Sequence, residues 1–322
     1  MTRPIDPPEP LSESRVLLVD THSLFVRAFF ALPEMTTSAG VPTSALYGFS
    51  VLLLKLLKEE RPMGVAFALD AGQPTFRHAR SATYKAQRAP LATPLRAQLD
   101  ILPRLLQAVG APCFVAPGFE ADDVLATLAA ELSAAGTRAR VVSGDHDLFQ
   151  VVDQRVDVLF VGARAQPPKL YDLAAVTARY GLRPDQLPTL AALVGDATDN
   201  LPKVAGVGER TAQALVARFG DAVSLLAHLD EVTPLRVRTA LGAAAAQLRE
   251  TEELARLRRD VPLPEGPRHA PIDREHLLQT RALFEELEFK SLAKRVERLL
   301  AQAQSERRED GSPDSVAEPI RT

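Results

Sequence analysis

The sequence has too few cysteines for a disulfide framework and no apolar run long enough for a membrane span. It has one cysteine, Cys113, and no tryptophan among 322 residues. A single cysteine excludes an internal disulfide and a cysteine-rich zinc cluster. No apolar run reaches the roughly 18 residues of a membrane-spanning helix, and the proline-rich, acidic N-terminus lacks the pattern of a secretory leader. We therefore expect a protein of a reducing cytoplasm with no membrane partner.

Charge is nearly balanced in total but unevenly distributed along the chain. Lysine and arginine number 38 and aspartate and glutamate 41, for a net charge of −3, so the total does not indicate nucleic-acid binding. Between Asp70 and Asp100, however, there is no acidic residue, and Arg77, Lys85 and Arg88 lie in this stretch. About 25 residues without a clear apolar face are long for a connection in a compact domain and are usually functional or disordered.

Short β-rich runs alternate with helical patterns from residue 15 to about residue 180. The runs predict strands at 15–20, 65–70, 113–116, 138–143 and 156–160. Helical periodicity covers 45–58, 95–109 and 121–135. This alternation indicates βαβ units and therefore an α/β fold with a parallel sheet covered by helices. From about residue 184 the β signal fades, and short helices punctuated by glycine and proline follow.

Three of the predicted strands run directly into acidic residues. Because the carboxyl ends of parallel strands share one edge of a sheet, where α/β proteins place their sites, we expect these side chains to lie together. Two further acidic groups lie between turns and helix starts. The complete set is Asp20, Asp70, Glu120, Asp122, Asp123, Asp145, Asp147, Asp196 and Asp199.

A metal site is the simplest explanation of so many acids in one place. One aspartate after a strand is most often the N-cap of the next helix, and this explanation stays open for any single member, but capping does not need the whole set. Crowded carboxylates raise one another's pKa, and Mg²⁺ or Mn²⁺ bound by their hard oxygens relieves the repulsion. Two such ions, about 3.5–4 Å apart, are the usual clamp for phosphodiester cleavage.

The second motif is a glycine turn that opens an apolar helix. Gly206 and Gly208 precede Arg210 and Thr211, and Lys203 lies just upstream. Because no strand precedes the turn, a dinucleotide fingerprint does not fit the context. A helix-hairpin-helix, whose backbone N–H groups face a phosphate, fits better. An ordinary helix-turn-helix corner remains the alternative.

The basic stretch is the third feature. Lys85 and Arg88 would share one helical face, with Tyr84 beside them as a ring on which a base could stack. The alternative is a solvated basic loop. Because the stretch follows directly on Asp70, a candidate metal ligand, we favour a role in binding a nucleic-acid strand.

Together these motifs resemble the 5′-3′ exonuclease domain of bacterial DNA polymerase I and its stand-alone relatives in the flap endonuclease superfamily. The resemblance spans about residues 15–295. It rests on Leu18-Val19-Asp20, Tyr47-Gly48-Phe49, Phe76-Arg77-His78, Tyr84-Lys85-Ala86-Gln87-Arg88, the segments 118–123, 144–148 and 195–202, and the hairpin Gly206-Val207-Gly208.

The resemblance implies a fold and a domain order. It implies a PIN-like, resolvase-like nuclease core with a helical arch at about 72–96, and a helical helix-hairpin-helix (H3TH) DNA-binding domain. The expected divisions are a flexible N-terminal tail at 1–14, the core at 15–184, the helix-hairpin-helix region at 185–265, a C-terminal helical segment at 266–303 and a disordered tail at 304–322.

The resemblance also implies residue roles. A first metal site would contain Asp20, Asp70, Glu120, Asp122 and Asp123. A second would contain Asp145, Asp147, Asp196 and Asp199, with Asp145 near both. Catalytic roles fall to Lys85, Arg88 and Asp145, and DNA contacts to Arg27, Arg77, Tyr84, Lys85, Arg88, Lys203, Gly206, Gly208, Arg210 and Thr211. His146 stands where the family commonly has lysine, and we expect it to add a pH-dependent charge.

The implied function is that of a structure-specific 5′ nuclease. It would act as a 5′-3′ exonuclease and 5′-flap endonuclease with two Mg²⁺ ions, which Mn²⁺ can replace, and with K⁺ at the hairpin. Expected partners are DNA with a 5′ flap, nick or free 5′ end, RNA–DNA primer junctions and a DNA polymerase. We expect a bacterial, nucleoid-associated monomer in the cytoplasm without a polymerase domain. Two alternatives stay open: a non-catalytic DNA-binding accessory protein and a PIN-type ribonuclease.

Overall fold

The structure, a computed structural model, describes residues 14–72, 74–162 and 166–309. The strands of its sheet are β1 (Arg15–Asp20), β2 (Gly64–Ala68), β3 (Cys113–Phe114), β4 (Arg138–Ser143), β5 (Val156–Phe160) and β6 (Lys169–Tyr171). They form one six-stranded sheet in the order β3-β2-β1-β4-β5-β6. The first five are parallel, and β6 pairs antiparallel with β5.

The predicted parallel sheet is therefore confirmed, with differences at its margins. β2 and β3 both end earlier than predicted, at Ala68 and Phe114, because the chain leaves the sheet before the acidic turn that follows each of them. The sequence pattern does not predict β6. Its three residues are too few to show an alternating pattern, and its place is decided by pairing with β5.

Helices cover both faces of the sheet and continue beyond it. The helices that accompany the sheet are α1 (Thr21–Ala31), α2 (Ser44–Glu60), α3 (Phe76–Arg80), α4 (Thr93–Val109), α5 (Ala121–Ala134) and α6 (Leu173–Tyr180). Those that follow are α7 (Leu187–Val194), α8 (Glu209–Phe219), α9 (Ala222–Ala227), α10 (Leu235–Ala243), α11 (Ala245–Ala255), α12 (Arg274–Glu286) and α13 (Lys290–Glu309). In the described part of the chain, no helix has the length and apolar content needed to span a membrane.

Burial on both faces explains why the central strands are apolar throughout. Successive side chains of a strand point to opposite faces. On β1, Val16 and Leu18 join the core that contains α5, whereas Leu17 and Val19 join the core that contains α2 and α4. The sheet is thus held between two helical layers, as parallel sheets require, and its carboxyl edge is the part left for a site.

The expected helical arch contains little regular helix. Between Pro74 and Ala92 the described residues form only the five-residue helix α3 and a run of turns. The absence of an apolar face in this stretch explains the difference, because most helical stability in proteins comes from burying such a face.

The last two helices return to the helices that cover the sheet. Phe284 of α12 is buried among residues of α2 and α4, and Tyr47 of α2 hydrogen-bonds Ser291 of α13 at 2.9 Å. The single segment expected here is two helices, which separate at Glu288, a residue with a left-handed φ of 62°. Packing on α2 and α4 continues through both helices and holds them against the core.

The two predicted tails lie mostly outside the described residues. Residues 1–13 and 310–322 are not described. α13, however, extends to Glu309, so the expectation of disorder over 304–309 is not met.

Candidate active site

The carboxyl end of β1 places Asp20 at the centre of the sheet edge. Its side chain is 2 % exposed. One carboxylate oxygen accepts the Ser23 N–H at 3.2 Å and so caps α1. The other oxygen accepts the hydroxyl of Ser143, the last residue of β4. Asp20 is therefore both a helix cap and a member of the edge cluster.

The N-terminus of α5 brings three more acids to this edge. Glu120 is the N-cap residue of α5, and Asp122 lies in its first turn. Asp70, which follows β2, accepts the Ala121 N–H at 2.8 Å. The positive end of the α5 dipole thus partly stabilises this group of carboxylates.

The pKa values indicate that Asp20, Asp70, Asp122 and Asp145 repel one another electrostatically. Burial raises the pKa of Asp20 to about 7 in spite of its two hydrogen bonds, and the charges of Asp70 and Asp145 contribute to this rise. Burial also raises the pKa of Asp122 well above its ordinary value, with added repulsion from Asp20, Asp145 and Asp70. We call Asp20, Asp70, Asp122 and Asp145 the first acidic group.

A second acidic group surrounds Asp147. Burial raises the pKa of Asp147, and repulsion from Asp145, Asp199 and Asp196 adds to the effect. The Asp196 carboxylate accepts the N–H groups of Thr198 at 2.6 Å and of Asp199 at 3.1 Å. The charge of Asp145 acts on both groups, and its place between two metal ions stays a prediction.

The basic stretch lies directly on these carboxylates. Lys85 Nζ is 2.9 Å from Glu120 Oε1 and 3.5 Å from Asp199 Oδ2. Arg88 donates to Asp199 at 3.0 Å. Burial lowers the pKa of Lys85, but Glu120 and Asp199 outweigh it and the pKa is raised. Lys85 is therefore a cation at neutral pH.

The backbone of the stretch is also docked on the 196–200 loop. The Lys85 N–H donates to the Asp199 carbonyl at 3.1 Å. Gln87 donates to the Ala197 carbonyl at 2.9 Å, and Asn200 to the Thr83 carbonyl at 2.7 Å. These contacts were not found by sequence reasoning, because nothing in the local pattern relates residues more than 100 positions apart.

The expectation that Tyr84 offers a ring to a nucleic-acid base is wrong. Tyr84 is 3 % exposed, so no base can stack on it. Its hydroxyl lies 3.0 Å from Glu120 Oε2 and 2.9 Å from Asp199 Oδ2. Burial and these two carboxylates raise its pKa. Tyr84 keeps its proton and shares it between the acids.

Two further expectations fail together, because Arg77 and Asp123 bind each other. Arg77 is 1 % exposed and Asp123 is fully buried. The guanidinium contacts the two carboxylate oxygens at 2.6 and 2.8 Å. Those oxygens also accept the N–H groups of Glu120 and Arg258. Asp123 therefore has no oxygen left for a metal ion, and Arg77 cannot reach a DNA phosphate.

Two more residues border the edge cluster. Arg27 of α1 donates to the Gly144 carbonyl at 2.8 Å, and its buried Nε has no hydrogen-bond partner among the described residues. A side chain at Gly144 would collide with this guanidinium. His146 stacks on Phe160 with ring centroids 4.3 Å apart, and burial and Arg179 lower its pKa. His146 is therefore neutral at pH 7, and any charge that it adds appears only in more acidic solution.

The hairpin before α8 presents an uncapped helix N-terminus. Val204 and Val207 are buried and anchor the turn, while Gly206, with φ 75°, and Gly208 are exposed. Gly208 is the N-cap residue, and no side chain caps the helix. First-turn N–H groups have no partner within a helix, so they remain for a ligand. The predicted contacts of Lys203, Arg210 and Thr211 stay predictions.

The carboxylates suit a divalent metal by chemistry rather than by ready-made geometry. Within the described ranges, no three His, Cys, Asp or Glu side chains are arranged to hold an ion as they stand. The cluster nevertheless offers only hard oxygen donors, and its pKa values are raised by burial first and by mutual repulsion second. A hard divalent cation relieves that repulsion. Eight of the nine predicted ligands remain candidates after Asp123 is removed.

The comparisons with known proteins cover nearly the same residues as this architecture. Residues 15–181 match the family described as 5′-3′ exonuclease, N-terminal resolvase-like domain, and residues 182–276 match 5′-3′ exonuclease, C-terminal SAM fold. Thermostable DNA polymerase I of Thermus thermophilus is 44% identical over 282 residues, which cover 87% of this chain and 33% of that protein. The chain thus spans about a third of the length of this curated relative.

Solved structures show the same fold at lower identity. The D15 flap endonuclease of bacteriophage T5, in a pseudo-enzyme-product complex with DNA and metal ions, superposes with a TM-score of 0.64 at 18% identity, covering 90% of this chain and 99% of that one. Human GEN1 in complex with Holliday junction DNA gives 0.64 at 19%, covering 96% and 78%.

Neighbouring acids of α5 should respond oppositely to loss of charge. Raised carboxyl pKa values reduce stability as the pH rises above the unfolded value near 4. In EDTA at pH 8, Asp122→Asn should therefore stabilise the protein by about 1–3 kcal/mol, and the gain should vanish near pH 4. Asp123→Asn should destabilise by about 3 kcal/mol, because it leaves Arg77 buried with an incomplete partner. Urea unfolding measures both, and shifts of the same sign would contradict the assignment.

Proposed function

The chain belongs to the 5′-3′ exonuclease family, and we propose that it is a structure-specific 5′ nuclease that hydrolyses DNA phosphodiesters with bound divalent metal ions. The observation that carries this proposal is the position of Lys85 and Arg88. Both lie on the carboxylates of the sheet edge. An anionic polymer can therefore approach a site that acids alone would make repulsive.

The carboxylates would hold the metal ions. One ion would be held by Asp20, Asp70, Glu120, Asp122 and Asp145, and a second by Asp145, Asp147, Asp196 and Asp199. Two such ions would supply Lewis-acid charge that lowers the pKa of the attacking water and neutralises charge on the leaving 3′ oxygen. We propose Mg²⁺ as the physiological ion and Mn²⁺ as a substitute.

Lys85 and Arg88 would grip the scissile phosphate. In the free protein both cations are paired with carboxylates, Glu120 and Asp199. With a metal ion bound at those acids, Lys85 and Arg88 would be free to turn to a phosphate oxygen. Arg27, which donates to the Gly144 carbonyl in the turn after β4, would add a third positive charge.

The uncapped start of α8 would hold duplex DNA through its backbone. The first-turn N–H groups, Lys203 and Arg210 would contact phosphates, and we propose a K⁺ ion at this turn. Such contacts do not read base sequence. Affinity should therefore depend steeply on salt and little on sequence.

The substrates follow from these two sites. The hairpin would bind duplex DNA, and Lys85 would contact the strand that ends in a 5′ terminus. DNA with a 5′ flap, a nick or a free 5′ end offers both features. We propose that the enzyme acts in replication and repair, including removal of RNA primer segments, and that it works with a DNA polymerase in the bacterial cytoplasm.

Loss of Asp145 tests the metal assignment. Asp145→Asn removes the carboxylate that acts on both acidic groups, so flap cleavage in Mg²⁺ should fall by roughly 100-fold or more. Binding of the same flap in Ca²⁺ should change little. The matched control is Asp185→Asn, which removes an exposed carboxylate paired with Arg183. Cleavage by Asp145→Asn near the wild-type rate would contradict the assignment.

Loss of Lys85 tests the role of the basic stretch. Lys85→Ala should slow single-turnover cleavage by roughly 10- to 1000-fold through loss of charge stabilisation in the transition state, while flap affinity stays within about threefold because the hairpin is unchanged. Lys169→Ala, at an exposed lysine of β6, is the control. Unchanged single-turnover cleavage would argue against phosphate positioning.

Filling Gly208 tests the hairpin. A Cβ atom at Gly208 meets no atom within 4 Å, so Gly208→Ala and Gly208→Val should each cost about 1 kcal/mol of stability or less. Both should weaken binding to nicked duplex, the larger side chain more, because they keep phosphate from the N–H groups. Equal affinity in all three proteins, measured by fluorescence anisotropy, would refute this role.

A further inference from the structure

The buried Arg77 is left without a role once DNA contact is excluded. It is the largest fully buried side chain among the described residues, and its five N–H groups have five acceptors. Three of these bonds go to Asp123 and Glu120. The other two go to the carbonyl groups of Leu254 at 2.7 Å and Arg256 at 3.1 Å.

These acceptors belong to parts of the protein with different tasks. Glu120 caps α5 and holds Lys85 and Tyr84 in the candidate active site. Leu254 lies in the last turn of α11, and Arg256 directly follows that helix, at the exit from the helical region that contains the hairpin. Arg77 itself belongs to α3, the helix of the basic stretch that precedes Lys85 and Arg88. One side chain therefore joins the hairpin region, the basic stretch and the acidic site.

The bond set requires an arginine. Its planar fork reaches a carboxylate with two nitrogens while Nε and the outer N–H groups reach other acceptors. A lysine carries the same charge but only three donors on one atom. It can pair with Asp123, but it cannot also hold two carbonyl groups in fixed directions.

A nearby pair joins the same helices without being part of the site. Arg80 of α3 and Glu253 of α11 form an ion pair in which both side chains are about half exposed. Exposed pairs of this kind contribute little, and the Arg80 guanidinium bonds to Glu253 rather than to Glu120 or Asp123. A variant that lacks this pair loses a contact between α3 and α11 but keeps the bonds to the active site. It therefore serves as a control for the loss of Arg77.

We infer that Arg77 is a positioning residue that fixes the distance between duplex DNA held at the hairpin and the carboxylates that cut it. This inference rests on the proposed nuclease function. Successive nucleotides along a strand are about 3.4 Å apart. A shift of a few ångströms between the hairpin region and Glu120 therefore moves the cut by one nucleotide. Arg77 thus sets where the strand is cut, and through Glu120 it sets how well Lys85 is placed.

The test is a product map of a 5′-labelled flap in Mg²⁺ under single-turnover conditions, with wild type, Arg77→Lys, Asp123→Asn and Arg80→Ala. Arg77→Lys should cut roughly 10- to 100-fold more slowly and spread the product over neighbouring positions. Its affinity for the flap in Ca²⁺ should stay within about threefold of wild type. Asp123→Asn weakens the same junction and should spread the product as well. Arg80→Ala should match wild type in rate and position.

Each outcome is decisive once folding is checked by circular dichroism at the assay temperature. A folded Arg77→Lys or Asp123→Asn protein that cuts at a single wild-type position, within about threefold of the wild-type rate, overturns the inference. If Arg77 only stabilises the fold, Arg77→Lys should lower the melting temperature and still cut at the single wild-type position. That outcome would also overturn the inference. Spreading by Arg80→Ala would also overturn it, because that variant leaves the Arg77 bonds intact. If wild type does not cut the flap at all, the proposed function fails rather than the role of Arg77.

Discussion

Repulsion among carboxylates at one edge of a parallel sheet is the constraint on which the rest of this structure depends. The sheet register brings the ends of β1, β2 and β4 together, and with them acids whose pKa values rise through burial and mutual repulsion. The protein offsets part of this charge with Lys85 and Arg88 and with the dipole of α5. In the proposed function, the same cations would contact phosphate once metal ions neutralise the acids. One electrostatic arrangement thus reduces repulsion within the fold and would also attract the proposed substrate.

Asp122 and Asp123 are adjacent residues of the same type, but their side chains have different partners. Adjacent residues of an α-helix point about 100° apart, so one carboxylate faces the sheet edge and the other enters the protein. Asp122 meets other acids and gains a raised pKa. Asp123 meets Arg77 and two backbone N–H groups. The first can serve a metal ion, and the second is a buried ion pair whose polar groups are all satisfied, as burial demands.

The two candidate DNA-binding surfaces are connected through the protein interior as well as along the chain. The hairpin lies in a helical region that returns to the core at the end of α11, where Arg77 and Gln150 form hydrogen bonds with its backbone. The proposed function requires a constant distance between the hairpin that would bind duplex DNA and the carboxylates that would cut it. Buried, fully paired side chains serve that purpose better than surface ion pairs, which are weak and screened by salt.

Much of this protein follows from local sequence. Apolar runs that end in Asp20 and Asp145 predict a parallel sheet with an acidic edge, because strand burial and strand direction are local consequences of pattern. The glycine turn at Gly206 is likewise predictable, since it needs a left-handed backbone. Tertiary structure alone decided that Tyr84 and Arg77 turn inward, because their partners lie up to 179 residues away. Side-chain direction depends on those distant acceptors, and a linear pattern of charge does not contain them.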